Sequence, residues 1–150
     1  MLSPALSDDT TLILTCAIPA PPAAVFAAWT QPEHIVRWWP QTAEIDARVG
    51  GSYHLGWPTL NQHLRGTYLV VVPAAVLTFT WRWDDATAEG DAPRVVALTF
   101  APDGAAGTRM TLTHGPYAAT SADQEIRTAH HLAGWQHFLP KLVALFTTAP

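Results

Sequence analysis

The sequence predicts an α+β fold in which a curved antiparallel sheet of six to seven strands wraps around one long C-terminal helix. Two observations support this prediction. Between residues 43 and 114, six β-rich segments alternate with short runs of turn residues, which is typical of antiparallel strands joined by tight connections. Residues 121–146 then carry apolar side chains at helical spacing, which is typical of an amphipathic helix packed on a sheet.

The chain begins with a polar segment and one strand. Residues 1–10 are polar and predict a flexible lead, whereas residues 11–150 predict a single domain with a substantial core. In the β-rich stretch "TLILTCAI" (11–18), alternation places Leu12, Leu14, Cys16 and Ile18 on one face of a strand.

Two prolines mark the starts of two short helices after this strand. One predicted helix begins at Pro22, and a second begins at Pro32 and ends before Pro40. Neighbouring residues on a helix point about 100° apart, so Trp38 and Trp39 cannot both face the same core. We therefore expect one of them to anchor the helix and the other to lean toward a cavity mouth or the C-terminal helix.

The six strand segments read, in order, "EIDARVGG", "SYHLGW", "LRGTYLVVVP", "AVLTFTWRW", "RVVALTF" and "TRMTLTH". Gly50 and Gly51 join the first two and are a strong turn signal. The acidic stretch 84–91 is the longest connection, and it predicts a solvated hairpin tip rather than a cation site.

The C-terminal helix has a recognisable start and two unusual interior residues. Ser121 is predicted as the N-cap, with Gln124 at the capping-box position. Gly134 costs helix stability and is expected to permit close approach to the sheet. Pro140 is expected to kink or break the helix.

Composition excludes several classes of function. The 150 residues are 49% hydrophobic and carry a net charge of −4, and the eight basic residues are scattered. This argues against binding to nucleic acid or to an anionic membrane surface, because both require a basic face. Cys16 is the only cysteine, and the first residues lack a signal-peptide pattern, so we expect a cytoplasmic protein.

No motif for nucleotide, cofactor or metal chemistry is present in the sequence. Nucleophile-elbow, dinucleotide-fingerprint and P-loop patterns are all missing. The seven histidines show no HxxxH pairing, so we expect neither a metal nor a cofactor. The predicted inner face of the sheet carries almost no carboxylates, and no catalytic residues are assigned.

Aromatic side chains dominate one predicted face of the sheet. In "LTFTWRW", alternation places Leu77, Phe79, Trp81 and Trp83 together. Rigid rings facing one helix suit either core packing or the lining of an aromatic-accepting cavity. The predicted ligand-binding residues are Trp39, Tyr53, Trp57, Phe79, Trp81, Trp83, Met110, Leu112, His114, His130, Trp135 and Phe138.

Five stretches carry a resemblance to a known family, in the family's order. They are "IPAPPAAVFAAWTQPEHIVRWWP", "DARVGGSYHL", "GTYLVVVPAAVLTFTW", "GTRMTLTHGP" and "GWQHFLPKL". Over about residues 11–146 the sequence resembles the activator of heat-shock-protein ATPase homologue-like branch of the START/SRPBCC helix-grip superfamily. The resemblance implies a helix-grip fold with a hydrophobic cavity beneath the C-terminal helix. One departure is the stretch 56–65, "GWPTLNQHLR", which lacks a glycine turn often seen in relatives and predicts a different pocket rim.

The resemblance does not select a function, because the superfamily includes lipid and hormone binders, polyketide cyclases and co-chaperone domains. Our first hypothesis is a binding protein for a small hydrophobic or aromatic molecule, oriented by Tyr53, His114 and His130. The second is a cyclase-like enzyme that uses His114 or His130. The third is a co-chaperone-like module with a chaperone partner, which an exposed Trp39 would favour. A homodimer would also bury surplus aromatic surface.

Overall fold

The computed structural model describes residues 2–4, 10–84 and 93–147. Beyond Asp84, the acidic stretch predicted as a hairpin tip lies outside the described residues. The helices and strands are β1 (Leu2–Pro4), β2 (Leu12–Ile18), α1 (Pro22–Thr30), α2 (Pro32–Ile35), β3 (Thr42–Ile45), β4 (Ser52–Trp57), β5 (Gln62–Val72), β6 (Val76–Trp83), β7 (Arg94–Asp103), β8 (Gly107–Gly115), α3 (Ser121–Glu125), a π-helical segment (Ile126–Leu132) and α4 (Ala133–Thr147). We call the last three elements together the C-terminal helix.

The strands form one antiparallel sheet in the order β1-β2-β8-β7-β6-β5-β4-β3. This arrangement confirms the predicted α+β fold with a sheet packed against a long C-terminal helix. The described strands number eight rather than six or seven, because β1 adds to the outer edge of β2. Strand β1 lies within the segment that the sequence predicts as a flexible lead. No helix within the described ranges combines the length and the apolar character needed to cross a membrane.

Side-chain alternation decides which face of the sheet is buried. Every second residue of β2, β6 and β8 points to the buried face of the sheet, which α1 and the C-terminal helix cover, as the two-residue period of a strand requires. The buried residues of these strands include Leu12, Leu14, Cys16, Ile18, Leu77, Phe79, Trp81, Met110, Leu112 and His114.

The segment after α2 resolves how Trp38 and Trp39 are both accommodated. Helix α2 is a single turn that ends at Ile35, and the two tryptophans lie in the turn that follows it, where the backbone N–H groups of both donate to the carbonyl oxygen of Ile35 at 3.2 and 3.1 Å. Both are buried, with their rings stacked at a centroid distance of 5.6 Å. Trp38 is the anchor, because its Nε1 donates to the carbonyl oxygen of Ala28 at 2.9 Å. Trp39 leans toward the C-terminal helix, and its ring centroid lies 5.0 Å from that of Trp135.

The start of the C-terminal helix differs from the prediction. Thr120, not Ser121, is the N-cap, since its side-chain oxygen accepts from the backbone N–H of Asp123 at 3.2 Å. Gln124 does not complete a capping box, because its amide donates to the carbonyl of Ala118. The helix continues through Pro140 to Thr147, so no break occurs there. The distortion lies earlier, in the π-helical segment.

Gly66 is required for the packing of β5 against Tyr53. A Cβ at this position would collide with the carbonyl oxygen of Thr80 and lie 2.5 Å from the Tyr53 ring. We expect Gly66→Ala to lower the free energy of unfolding by about 2 kcal/mol, measured by urea denaturation. Gly134→Ala is the matched control, because a Cβ there has nothing within 4 Å and alanine favours the helix. Equal stability of the two variants would contradict this interpretation.

Candidate functional site

A pocket of about 230 Å³ opens between one end of the sheet and the C-terminal helix. We call it the tryptophan pocket. Five of its lining side chains are tryptophans, contributed by four separate parts of the chain. The lining consists of Trp39, Trp57, Leu60, Gln62, Trp81, Trp83, His130, His131, Gly134, Trp135 and Phe138.

The tryptophan rings contact one another and form a continuous wall. Trp81 and Trp83 lie on β6, two residues apart, and therefore share a face of the sheet. Trp57 ends β4 and lies 5.4 Å from Trp83 between ring centroids. Trp135 projects from the C-terminal helix and lies 5.6 Å from Trp81. Trp39 lies among them, nearly parallel to Trp81 at 5.9 Å.

Four of the five indole N–H groups of the wall fall into two classes. Trp57 donates to the backbone carbonyl of Trp39 at 3.2 Å, and Trp135 donates to Nδ1 of His114 at 3.0 Å. In contrast, Nε1 of Trp81 and Nε1 of Trp83 are buried and have no hydrogen-bond partner among the described residues. The first two rings are therefore fixed by hydrogen bonds, whereas the other two are held by packing alone.

His114 lies behind the wall and is completely buried. An indole N–H is only a donor, so Nδ1 of His114 must be the unprotonated nitrogen and Nε2 must carry the proton. Burial is the main reason that the pKa of His114 is well below its usual range, and the nearby His131 and Arg94 lower the pKa further. His114 is therefore a neutral group whose hydrogen-bond donor, Nε2, has no partner.

His131 connects this buried histidine to the pocket. Its ring stacks on His114 at 4.1 Å and an interplanar angle of 9°. Its Nδ1 lies 2.7 Å from the hydroxyl of Tyr117. The Arg94 guanidinium lies over the Tyr117 ring at 5.1 Å and pairs with Asp123 at 3.1 Å. A histidine that lines the pocket thus belongs to a buried polar cluster.

The structure places seven of the twelve predicted ligand-binding residues in the pocket lining: Trp39, Trp57, Trp81, Trp83, His130, Trp135 and Phe138. The other five lie outside it. Tyr53 and Phe79 surround a separate, nearly filled space, and the Tyr53 hydroxyl donates to the carbonyl of Thr80. Met110 and Leu112 are core residues of β8, and His114 lies behind the wall.

Four lining residues were not predicted. Leu60 and Gln62 belong to the stretch 56–65, whose sequence departs from the family pattern. That departure predicted a different pocket rim and could have identified the two residues. His131 is one turn before Trp135 on the same helix face, a spacing that could have identified it. Gly134 was expected to allow close approach to the sheet, but a Cβ there would meet open space. Its missing side chain instead leaves room in the pocket.

Within residues 2–4, 10–84 and 93–147, no group of three His, Cys, Asp or Glu side chains is arranged to hold a metal ion. The lining supplies apolar rings, two histidines and one amide. Such a surface is suited to enclosing an uncharged aromatic molecule with a few polar contacts.

Comparison with known proteins places the chain in a family. The sequence matches the family described as "Activator of Hsp90 ATPase homolog 1-like protein" over residues 19–147. The chain belongs to this family. No match was found among curated proteins.

Solved structures share the fold of this chain. A protein of Mesorhizobium loti is 25% identical, with a TM-score of 0.79 over 93% of this chain and 99% of its own. A Chromobacterium violaceum protein is 27% identical, with a TM-score of 0.73 over 95% of this chain and 100% of its own. An HSP90 activator from Plasmodium falciparum, at 20% identity, shares the fold with a TM-score of 0.71 over 91% of this chain and 95% of its own.

The lowered pKa of His114 makes stability depend on pH. Below about pH 6.5 the unfolded chain binds a proton at this histidine and the folded chain does not, so stability falls as the pH decreases. We expect this one group to remove about 1 kcal/mol of unfolding free energy between pH 7.5 and 5.5. His114→Asn, which keeps an acceptor for Trp135, should lose that contribution in urea denaturation series at both pH values. An NMR titration showing protonation of His114 near pH 6.5 in the native protein would contradict it.

Proposed function

We propose that this protein binds a small, largely apolar aromatic molecule in the tryptophan pocket. The observation that carries the proposal is the convergence of five tryptophans from four parts of the chain around a space that they do not fill. A core that served only stability would bring such rings into contact without leaving a pocket, because voids in a core are destabilising.

The size of the pocket limits the ligand. An apolar cavity of about 150 Å³ holds a benzene molecule, whereas pockets for drug-sized ligands begin near 300 Å³. The tryptophan pocket, at about 230 Å³, lies between these values. A ligand with one or two fused rings fits this range.

The chemistry of the wall favours a flat ligand. Indole rings give large contact areas and pack against other aromatic rings in stacked or edge-to-face geometry. His130 and Gln62 lie on the more exposed part of the lining, where they are placed to contact a polar edge of the ligand. Affinity then comes mainly from removing aromatic surface from water.

An enzyme is the second candidate, and one contact favours it. The cyclase-like hypothesis assigned acid–base work to His114 or His130. His114 is sealed behind the wall, whereas His131 lines the pocket and is oriented by the Tyr117 hydroxyl at 2.7 Å. A histidine held by a hydrogen bond at one nitrogen is the usual arrangement of a general base or acid. His131 is therefore the residue through which this candidate is tested.

The chaperone-partner hypothesis rests on family membership. The sequence analysis expected an exposed Trp39 to favour this hypothesis, and Trp39 is only 7% exposed in the structure. A chaperone partner, a homodimer and a cytoplasmic location remain predictions from the sequence.

Filling the pocket should abolish binding. We expect naphthalene to quench tryptophan fluorescence saturably in the native protein, and Gly134→Leu to weaken that binding at least about ten-fold by occupying the space. Ala133→Leu adds the same side chain to the neighbouring exposed position and should leave binding unchanged. Saturable binding of equal affinity in Gly134→Leu, or no binding by the native protein, would contradict the proposal.

The enzyme candidate predicts proton abstraction from a ligand of the right size. In D₂O, the native protein should accelerate deuterium incorporation next to the carbonyl of 2-tetralone, a two-ring ketone, and mass spectrometry would detect it. His131→Phe should lower the rate by about 100-fold or more, and Tyr117→Phe should lower it to a smaller extent. His130→Phe is the matched control, because it replaces the other histidine of the pocket lining. Exchange no faster than in buffer would exclude this reaction for this ketone.

A further inference from the structure

The unpartnered indole N–H groups indicate more about the ligand than its size. We infer that the ligand carries a hydrogen-bond acceptor, such as a carbonyl, a phenolate or a ring nitrogen, that binds Nε1 of Trp81 or Trp83. This inference rests on the proposed binding function and specifies the ligand's polar chemistry.

The two indole groups are exceptions within the wall itself. Trp57 and Trp135 line the same pocket, and each has its N–H directed to an acceptor, a backbone carbonyl and an imidazole nitrogen respectively. Buried donors are nearly always paired in native proteins. Two neighbouring buried donors without partners, both on β6 and with ring centroids 5.7 Å apart, therefore require an explanation.

The rings that contact Trp81 are weak acceptors. The Trp81 ring contacts the rings of Trp39 at 5.9 Å and His114 at 4.6 Å, and it meets Trp83 edge-on at 88°. The face of an aromatic ring accepts an N–H much less strongly than an oxygen or nitrogen lone pair does. Nε1 of both indoles is buried, so a ligand atom with a lone pair reaches either nitrogen by displacing a neighbouring ring, and it then replaces a weak contact with a full hydrogen bond.

The charge distribution near the pocket favours an acceptor over a cation. Tryptophan cages also bind quaternary ammonium groups. However, the described lining contains no carboxylate to balance such a charge. The ammonium of Lys141 lies 5.5 Å from the ring of Phe138, which is part of the lining. His114, behind Trp81, presents a protonated Nε2 and is a further donor rather than an acceptor.

Naphthalene and quinoline test this inference, because they have the same shape and differ by one ring nitrogen that only accepts. Both would be titrated into the native protein and into Trp81→Phe, Trp83→Phe and Trp57→Phe by isothermal titration calorimetry at pH 7.5. The measured quantity is the affinity for quinoline divided by that for naphthalene. We expect this ratio to fall about five-fold in Trp81→Phe or Trp83→Phe, the usual effect of losing one neutral hydrogen bond.

Trp57→Phe is the matched control, because it also removes an indole from the lining but its N–H is already bound to a backbone carbonyl. Its ratio should equal that of the native protein. Trp83 is partly exposed, so Trp83→Phe should fold. If Trp81→Phe does not fold, the indole N–H resonances of the native protein give the second readout: quinoline should move that of Trp81 or Trp83 downfield more than naphthalene does, and equal shifts would overturn the inference. An unchanged ratio in both β6 variants, with naphthalene still bound, overturns the acceptor inference and leaves the proposed function standing. Binding of neither compound by the native protein overturns both.

Discussion

The hydrogen bond from the Trp135 indole to His114 is the contact on which the arrangement of this end of the molecule depends. It links the C-terminal helix to β8 across the interior, and both partners are buried. Because the indole is a donor, the bond also fixes which imidazole nitrogen carries the proton. The same bond therefore holds one wall of the tryptophan pocket in position, and burial keeps the histidine behind it neutral. Replacing either partner with an apolar residue leaves a buried polar group unpaired.

The pocket exists because the sheet and the helix supply complementary kinds of residue. The sheet contributes wide, rigid rings at alternate positions of β6 and at the end of β4, whereas the helix contributes Trp135, Phe138, two histidines and, immediately before Trp135, a glycine. A larger side chain at Gly134 would occupy the space that the rings enclose. His131 is part of this lining and stacks on His114 behind it, so the pair places ring nitrogens close to otherwise apolar surfaces.

The parts of the structure that follow a fixed period could be predicted from the sequence. Alternation along "LTFTWRW" identified the inner face of β6, and the order of turn-separated segments identified the antiparallel sheet. Features that depend on tertiary contacts could not be predicted from the sequence. Trp38 and Trp39 are both buried because Trp38 packs on α1 and Trp39 on the C-terminal helix, and no local pattern in the sequence identifies these two surfaces. Alternation along β8 places His114 on the inner face of the sheet, but only the position of Trp135 shows that His114 is separated from the pocket.

The contacts among the tryptophans extend beyond the pocket into the core. Trp29, which donates to the sulfur of Met110, lies 4.7 Å from Trp38 and 5.9 Å from Trp135 between ring centroids. All seven indoles of the chain thus form one connected set. At such separations, electronic excitation passes between rings before light is emitted. The emission of this protein belongs to the whole cluster and should be strongly depolarised even in a rigid fold.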